Sequence, residues 1–278
     1  MKSKLLSFPY ILCMIFLVII PLLLIGYYSI IDFDGNLTLN NFSQVFEPMF
    51  LRIIWRSIRL AVISTAICFV IGYPIAYILA SRDFVKKSFL LFLFIVPMWM
   101  NFLLRTYAWL TILENNGIVN TIFRALGFDG FQLLYTEGAV VLGMVYNYLP
   151  FMVLPIYTVL TKMDNSLLEA SADLGANRRK TFTKVVFPLS IPGVASGVTM
   201  VFMPSVTTFV ISNLLGGADF LLIGNLIEQQ FFRANNWYFG AALAVVMIVI
   251  ILVCNTFVTL FDKNDDNERE AKRKHEKA

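Results

Sequence analysis

The residues able to do chemistry are few, and in most places their spacing rules chemistry out. The chain has one histidine, His275, and three cysteines, Cys13, Cys68 and Cys254, each cysteine inside an apolar stretch at no metal-ligand or disulfide spacing. It has no Cys/His/Asp cluster and no G-x-x-x-x-G-K-[ST] phosphate loop. The sequence therefore predicts no catalytic residue, no metal and no cofactor of its own. The exception to this blandness is a polar island, DNSLLEASADLGANRRK, at residues 164–180. Ser166 followed three residues later by Glu169 reads as a capping box, and Gly175 as a left-handed helix stop. These signals predict a short helix from about Leu167 to Leu174, then a second from about Asn177 to Phe187, ended by Pro188. A helix of about two turns is too short to persist alone in water. Its apolar side, Leu167, Leu168, Ala170, Ala172 and Leu174, suits either the chain's own spans or a groove on another protein.

A second group of residues has binding rather than reactive chemistry. Trp99, Asn101 and Tyr107 fall in one apolar stretch, and Tyr146, Asn147 and Tyr148 in another. They are candidates to line a path through the membrane; were the cargo a cation, aromatic faces and amide oxygens would hold its desolvated ammonium, at about 2 kcal/mol per cation–π contact. Packing between helices and interfacial belts also use aromatics, and that alternative stands beside the first. Arg105, on the same stretch as Trp99, is expected to snorkel outward or to pair with an acid of an outer loop, because a bare cation in the path would repel a cargo of that kind.

The elements that must position these residues follow from composition. The chain is 58% hydrophobic and 14% charged, with a mean hydropathy of +0.74 and 26 phenylalanines among 278 residues. One soluble core cannot bury that much apolar surface, and the expected solvent is a lipid bilayer. Six stretches have the roughly 20-residue length that a ~30 Å hydrocarbon layer requires. They lie at about 8–30, 57–80, 88–112, 138–160, 189–215 and 238–261, inside a single all-α membrane domain, 1–262. The first is read as a retained span, since no small-x-small cleavage site follows it. Pro74 and Pro204 are expected to permit kinks in spans two and five. Three longer loops, NLTLNNFSQVF, ENNGIVNTIFRALGFDG and GGADFLLIGNLIEQQFFRANNW, can each form a short helix on the membrane surface.

Placing the N-terminus, the 81–88 loop, the 161–188 loop and the tail on one side gives that side 16 of the 22 Lys and Arg. The bias predicts both termini to be cytoplasmic. It also accounts for the net charge of +4 without nucleic-acid binding. The opposite side carries eight acids, Asp32, Asp34, Glu47, Glu114, Asp129, Glu137, Asp219 and Glu228, against six arginines. The tail, 263–278, mixes acids and bases with almost nothing apolar and is expected to be a solvated, frayed helix or a disordered end.

The polar island resembles a known signature. Glu169, Ala170 and Ser171, then three residues, Gly175, nine residues, and Val185, Phe187 and Pro188 are similar to the EAA, three residues, G, nine residues, I-x-L-P signature of ABC importer permeases. Ser replaces the second Ala, and Val and Phe replace Ile and Leu. Further stretches, among them GYPIAYILA, LLFLFIVPMWMNFLLRTYAW and GMVYNYLPFMVLPIY, resemble the B-type permeases of spermidine/putrescine importers across nearly the whole chain. The resemblance implies the six-helix type I importer fold shared with maltose and methionine importers, with residues 165–188 as the coupling-helix loop. It further implies Glu169 as the contact with a partner ATPase, Gly175 as the turn between two helices, and Pro188 as the point of re-entry. The implied partners are a C-type sister permease, a homodimeric ABC ATPase that binds the ATP, and an extracytoplasmic polyamine-binding protein. Two other readings remain at this stage: a permease for a metal complex or an oxyanion, and a stand-alone carrier, though the spans lack the mid-membrane carboxylates that ion-coupled carriers use.

Overall fold

The computed structural model describes residues 9–276 apart from residues 11, 82–86, 218 and 219. The basic residues expected to orient the chain at Lys2, Lys4, Arg82, Lys86 and Lys277, and the acid Asp219, lie outside the described residues. The described chain is almost entirely helical. In order it forms α1 (Leu12–Ser29, with a π turn at Ile15–Ile19), α2 (Asn40–Val45), α3 (Pro48–Ala80), α4 (Lys87–Trp99) and α5 (Phe102–Leu113). Then follow α6 (Ile118–Ala125), α7 (Glu137–Thr161), α8 (Asn165–Asp173), α9 (Arg178–Thr207), α10 (Ile223–Phe232) and α11 (Trp237–Glu276). Among the described residues five helices are long and apolar enough to cross a bilayer, and there are six crossings if the bent pair Phe89–Trp99 and Phe102–Ala125 is counted as one broken span.

Three of these, α3, α7 and α9, pack on one another and enclose the main core around Leu60, Met144, Met152, Val153 and Ile156. Small residues let the backbones close. A Cβ on Gly72 would sit 3.1 Å from Met152, and one on Gly193 would sit 3.1 Å from the Ile156 Cα. Without a hydrophobic drive between helices in lipid, such close contact is what holds them together. A second core joins α2, α3, α10 and α11 through Val45, Ile54, Ile223, Phe239 and Leu243. The first span, α1, packs on α11 and leaves most of its side chains exposed, as a lipid-facing helix should.

The structure corrects several expectations. Span three is not one helix over 88–112. It breaks at Met100–Asn101, and the segment Phe89–Trp99 is bent by 95° from the segment Phe102–Ala125 that follows. Asn101 is the cause at the residue level: its Oδ1 accepts from the Leu103 amide at 2.8 Å and starts a new helix where the old one should continue. Span five begins earlier and ends earlier than 189–215. Its helix runs from Arg178 to Thr207, stops at Thr208, and is followed by a π turn at Ser212–Gly216. Pro188 does not end a helix, because it stands in the first turn of the α segment that follows the π turn Phe182–Val186, where its missing N–H is tolerated. Helix α3 continues through Pro74. Span six continues without a break past residue 262 to Glu276, so the tail extends the last helix.

The third loop helix, α10, is not a surface helix. Ile223, Gly224, Asn225 and Leu226 are buried. Asn225 explains the insertion: its Oδ1 accepts from Ser212 Oγ (2.6 Å) and the Leu222 amide (3.1 Å), while its Nδ2 donates to the Phe209 carbonyl (3.0 Å) and Asn213 Oδ1 (2.7 Å). Ser57 Oγ accepts from the Ile223 amide at 2.8 Å. Non-helical backbone at membrane depth persists only where protein satisfies it, and α10 does this for the unwound end of span five.

Candidate functional site

The loop between α7 and α9 is built from the signature residues. Asp164 caps α8, its Oδ1 accepting from the Ser166 amide at 3.0 Å. The expected Ser166–Glu169 capping box is therefore displaced. An acid two residues upstream, in extended backbone, takes the cap and leaves Ser166 and Glu169 inside the helix. Glu169 is exposed, and among the described residues it forms no ion pair.

The stop at Gly175 has the expected form. Its φ is +75°, the Gly175 amide donates to the Ala172 carbonyl (2.8 Å), and the Ala176 amide donates to the Ser171 carbonyl (3.0 Å), the paired bonds of a Schellman end. Asn177 then caps α9, accepting from the Lys180 amide at 2.9 Å.

Ser171, the departure from the third signature position, is buried and joins the two helices. Its Oγ lies 2.9 Å from Thr181 Oγ1 and 3.0 Å from the Leu168 carbonyl. Of the apolar residues on α8, Leu168 packs against the main core, whereas Leu167 is exposed and Leu174 is 88% exposed. One side of the short helix is thus anchored, and Glu169, Ala170 and Leu174 remain open.

The anchor continues from the signature residues Val185, Phe187 and Pro188 into the membrane through Tyr73, Tyr77, Phe182 and Ser190, which sequence reasoning did not single out. Phe182, in the π turn, packs edge-on against Tyr73 (5.8 Å between centroids) and Tyr77 (5.5 Å) of α3. Phe187 lies 5.6 Å from the Tyr73 ring, and the Tyr73 hydroxyl is 2.8 Å from Ser190 Oγ of α9. Val185 and Pro188 are half-buried at this junction. A displacement of α8 therefore has a continuous, packed route to spans two and five. The only sequence hint was the run of aromatics, GYPIAY and TFTKVVFP, at matching depth in two spans.

The second residue group is distributed around the break in span three. Trp99, the last residue of α4, is 77% exposed, and its ring stands edge-on to Phe92 at 6.4 Å. Asn101 is the cap of α5, and Tyr107 is 52% exposed on that helix. Tyr146 is partly exposed on α7 and packs edge-on to Trp109 of α5 at 5.3 Å, which links the two helices. Asn147 turns inward and is buried. Its Nδ2 donates to the Gly143 carbonyl at 2.9 Å, and its Oδ1 has no partner.

Arg105 neither snorkels nor forms an ion pair with an acid among the described residues; it is 8% exposed, with Nε unpartnered. The bent span turns its face inward, which periodicity in a straight helix did not predict.

At the far end of α7 from the loop, Glu137 bridges Arg56 (3.0 Å) and Arg59 of α3. The Arg56 guanidinium also lies 3.8 Å from the centre of the Phe220 ring. No group of three or more potential metal ligands occurs among the described residues.

A broken third span, a short helix slung beneath the bundle and a π turn leading from it into a long span are the parts of an importer permease. Residues 72–264 match the family described as binding-protein-dependent transport system inner membrane component, and the chain belongs to that family. It is an ABC transporter permease subunit, a multi-pass protein of the inner membrane with the type I importer fold. It is 39% identical over 86% of its length to the spermidine/putrescine transport system permease protein PotB of Haemophilus influenzae, covering 86% of that protein. The PotB of Escherichia coli K12 is 39% identical over 77% of this chain and 78% of its own.

Among solved structures, a bacterial ABC transporter involved in the import of alginate superposes with a TM-score of 0.81 at 15% identity, covering 95% of each chain. An inward-facing structure of the MetNI methionine ABC transporter gives 0.58 at 16% identity, over 79% of this chain and 98% of the other. These two likenesses define the fold and leave the cargo to other arguments.

Proposed function

We propose that this chain forms one half of the path of an ATP-driven polyamine importer, carrying spermidine or putrescine, and that α8 is the coupling helix. In this reading a C-type sister permease forms the other half. A homodimeric ABC ATPase binds ATP and receives α8, and an extracytoplasmic polyamine-binding protein delivers the cargo. The chain itself catalyses nothing and holds no cofactor. The loop end of the bundle and both termini face the cytoplasm, as the distribution of Lys and Arg favours.

The observation that carries the coupling role is the anatomy of α8. It is capped at both ends and anchored by Ser171 and Leu168, with Glu169, Ala170 and Leu174 left open. A helix this short is stable only when docked, and its free side is formed for a second surface. Closure of the ATPase then moves α8 as a rigid piece, and the Thr181, Phe182 and Tyr73 contacts pass the motion to spans two and five.

The cargo assignment rests on the relatives' names and on chemistry that suits an ammonium. Trp99 and Tyr107 offer exposed ring faces, Tyr146 a third, and Asn101 an amide oxygen, while the unpartnered Asn147 Oδ1 is buried and becomes available only if α7 is displaced. The bilayer-facing spans hold no carboxylate core, so the sister permease supplies the counter-charge in this reading.

The test is uptake of labelled spermidine by the complex reconstituted with all its subunits, in competition with putrescine, amino acids and oxyanions. Glu169→Ala is expected to leave assembly intact and to cut both uptake and the stimulation of ATP hydrolysis by loaded binding protein at least severalfold. Unchanged uptake by an assembled Glu169→Ala complex removes α8 from coupling, and competition by a different solute class reassigns the cargo.

A further inference from the structure

At the far end of the bundle, a polar cavity of about 320 Å³ is lined by Glu114, Asn115, Asn116, Gln132, Leu134 and Tyr135. It is a built structure rather than a gap between loops. One wall is the turn after α5 and the other is the segment leading into α7, and Asn120 of α6, fully buried, staples them. Its Nδ2 donates to the Glu114 carbonyl (3.2 Å) and the Phe131 carbonyl (3.0 Å), and its Oδ1 accepts from the Phe131 amide (2.9 Å). Arg124 braces the first wall from outside, donating to the Asn115 carbonyl at 2.9 Å and to Asn116 Oδ1 at 3.4 Å.

Tyr135 is held at φ +62°, a conformation that costs a non-glycine residue about 1 kcal/mol or more, by donation of its amide to the Leu215 carbonyl at 2.8 Å. Its ring rests on Gly217, where a Cβ would come within 3.0 Å. That strain fixes an aromatic side chain at the cavity and ties the wall to the π-helical end of span five.

We propose that this cavity binds an alkylammonium group. Glu114 is its one carboxylate, and among the described residues that carboxylate forms no ion pair, since Arg124 is spent on the wall. Asn116 Oδ1 is engaged by Arg124, and the side-chain amides of Asn115 and Gln132 with the Tyr135 phenol stand around Glu114 as acceptors for the three donors of an ammonium, with an aromatic face beside them. A lone carboxylate disfavours an anion, and a neutral polyol would not need one. The volume lies near the low end of small-ligand clefts, about 300 Å³, which is room for one end of an extended amine.

The ammonium has two possible sources at the extracytoplasmic end. One is a polyamine leaving its binding protein, which rests on the cargo proposed above; the other is a lysine of the binding protein itself.

The experiment uses the complete complex in nanodiscs and proteoliposomes, with Glu114→Gln and Tyr135→Phe, and with Asp34→Asn as an equal charge change at the same end outside the cavity. Glu114→Gln is expected to act about two- to fivefold, the size of one partly exposed ion pair, and Asp34→Asn not at all. A fall in spermidine uptake with unchanged affinity for binding protein assigns the site to the free polyamine. A fall in affinity for both loaded and empty binding protein assigns it to a lysine. Wild-type uptake and affinity in Glu114→Gln, or an equal effect of Asp34→Asn, overturns the proposal while leaving the cargo reading standing. A wild-type complex that carries no polyamine overturns the cargo reading, and the affinity arm then still decides the cavity.

Discussion

At Gly175 the backbone stands at φ +75° and an added Cβ meets nothing within 4 Å, so any substitution there is penalised by conformation alone. Gly175→Ala is expected to cost about 1 kcal/mol of loop structure and to lower ATPase stimulation in the assembled complex without affecting its expression. Equal stimulation in wild type and variant shows that the turn is not under mechanical demand.

Trp99 makes the opposite case, a large side chain that the fold hardly uses. Because it is 77% exposed, Trp99→Ala removes little packing. The expected result is an unchanged melting temperature and basal ATPase with about a tenfold weaker uptake, from the roughly 1–2 kcal/mol of a desolvated cation–π contact. Unaltered uptake kinetics takes Trp99 out of the path. Gly175 was legible in the sequence because a glycine after a capped polar helix has one common conformation. Asp164 was not read as the cap, because Ser166 with Glu169 offered the same signal two residues later, and only the backbone geometry separates them. Trp99, Tyr107 and Tyr146 were legible as types of side chain only, since aromatic residues in spans serve packing and recognition alike.

The helices were legible where apolar length alone decides, as in α3, α7 and α11, and less so where a single polar residue breaks the pattern. Asn101 divides a stretch whose hydropathy is uniform, and Asn225 draws a loop helix into the bundle by making four hydrogen bonds that hydropathy does not register. The loop between α7 and α9 shows the same division. Its start and stop were written in local residues, while its connection to span two, through Tyr73, Phe182 and Ser190, pairs residues more than one hundred positions apart. Tyr73→Phe tests that connection with the ring packing retained. Loss of the 2.8 Å bond to Ser190 is expected to cost about 1 kcal/mol and to reduce the transport gained per ATP hydrolysed, with basal hydrolysis unchanged. A variant with wild-type coupling assigns the bond to stability and leaves the aromatic contacts as the route.

Taken whole, the molecule is a three-helix body, α3, α7 and α9, on which the other helices pack. Spans two and five are tied by Tyr73 and Ser190, spans two, four and five close on one another at nearly the same level through Gly72, Gly193 and Gly197, and spans two and four are bridged at the far end by Glu137 between Arg56 and Arg59. The far-end ion pairs are only partly buried, so they hold register more than they stabilise. What keeps the unwound end of span five from collapsing is α10, and the tightest point of that contact is Gly224. A Cβ there would stand 2.4 Å from the Thr207 carbonyl oxygen and 2.9 Å from that of Thr208, which are backbone atoms that no rotamer can move aside. Gly224→Ala must therefore push α10 away from the span, stretching the Asn225 bonds to Phe209 and Ser212 and the Ile223 bond to Ser57. The expected cost is about 2–4 kcal/mol, seen as a melting temperature lowered by several degrees in detergent and a reduced yield of assembled complex. An unshifted melting temperature shows that α10 tolerates displacement and that the unwound segment is held by Asn225 alone. In that event Asn225→Ala, not Gly224→Ala, is the substitution that opens the far end of the bundle.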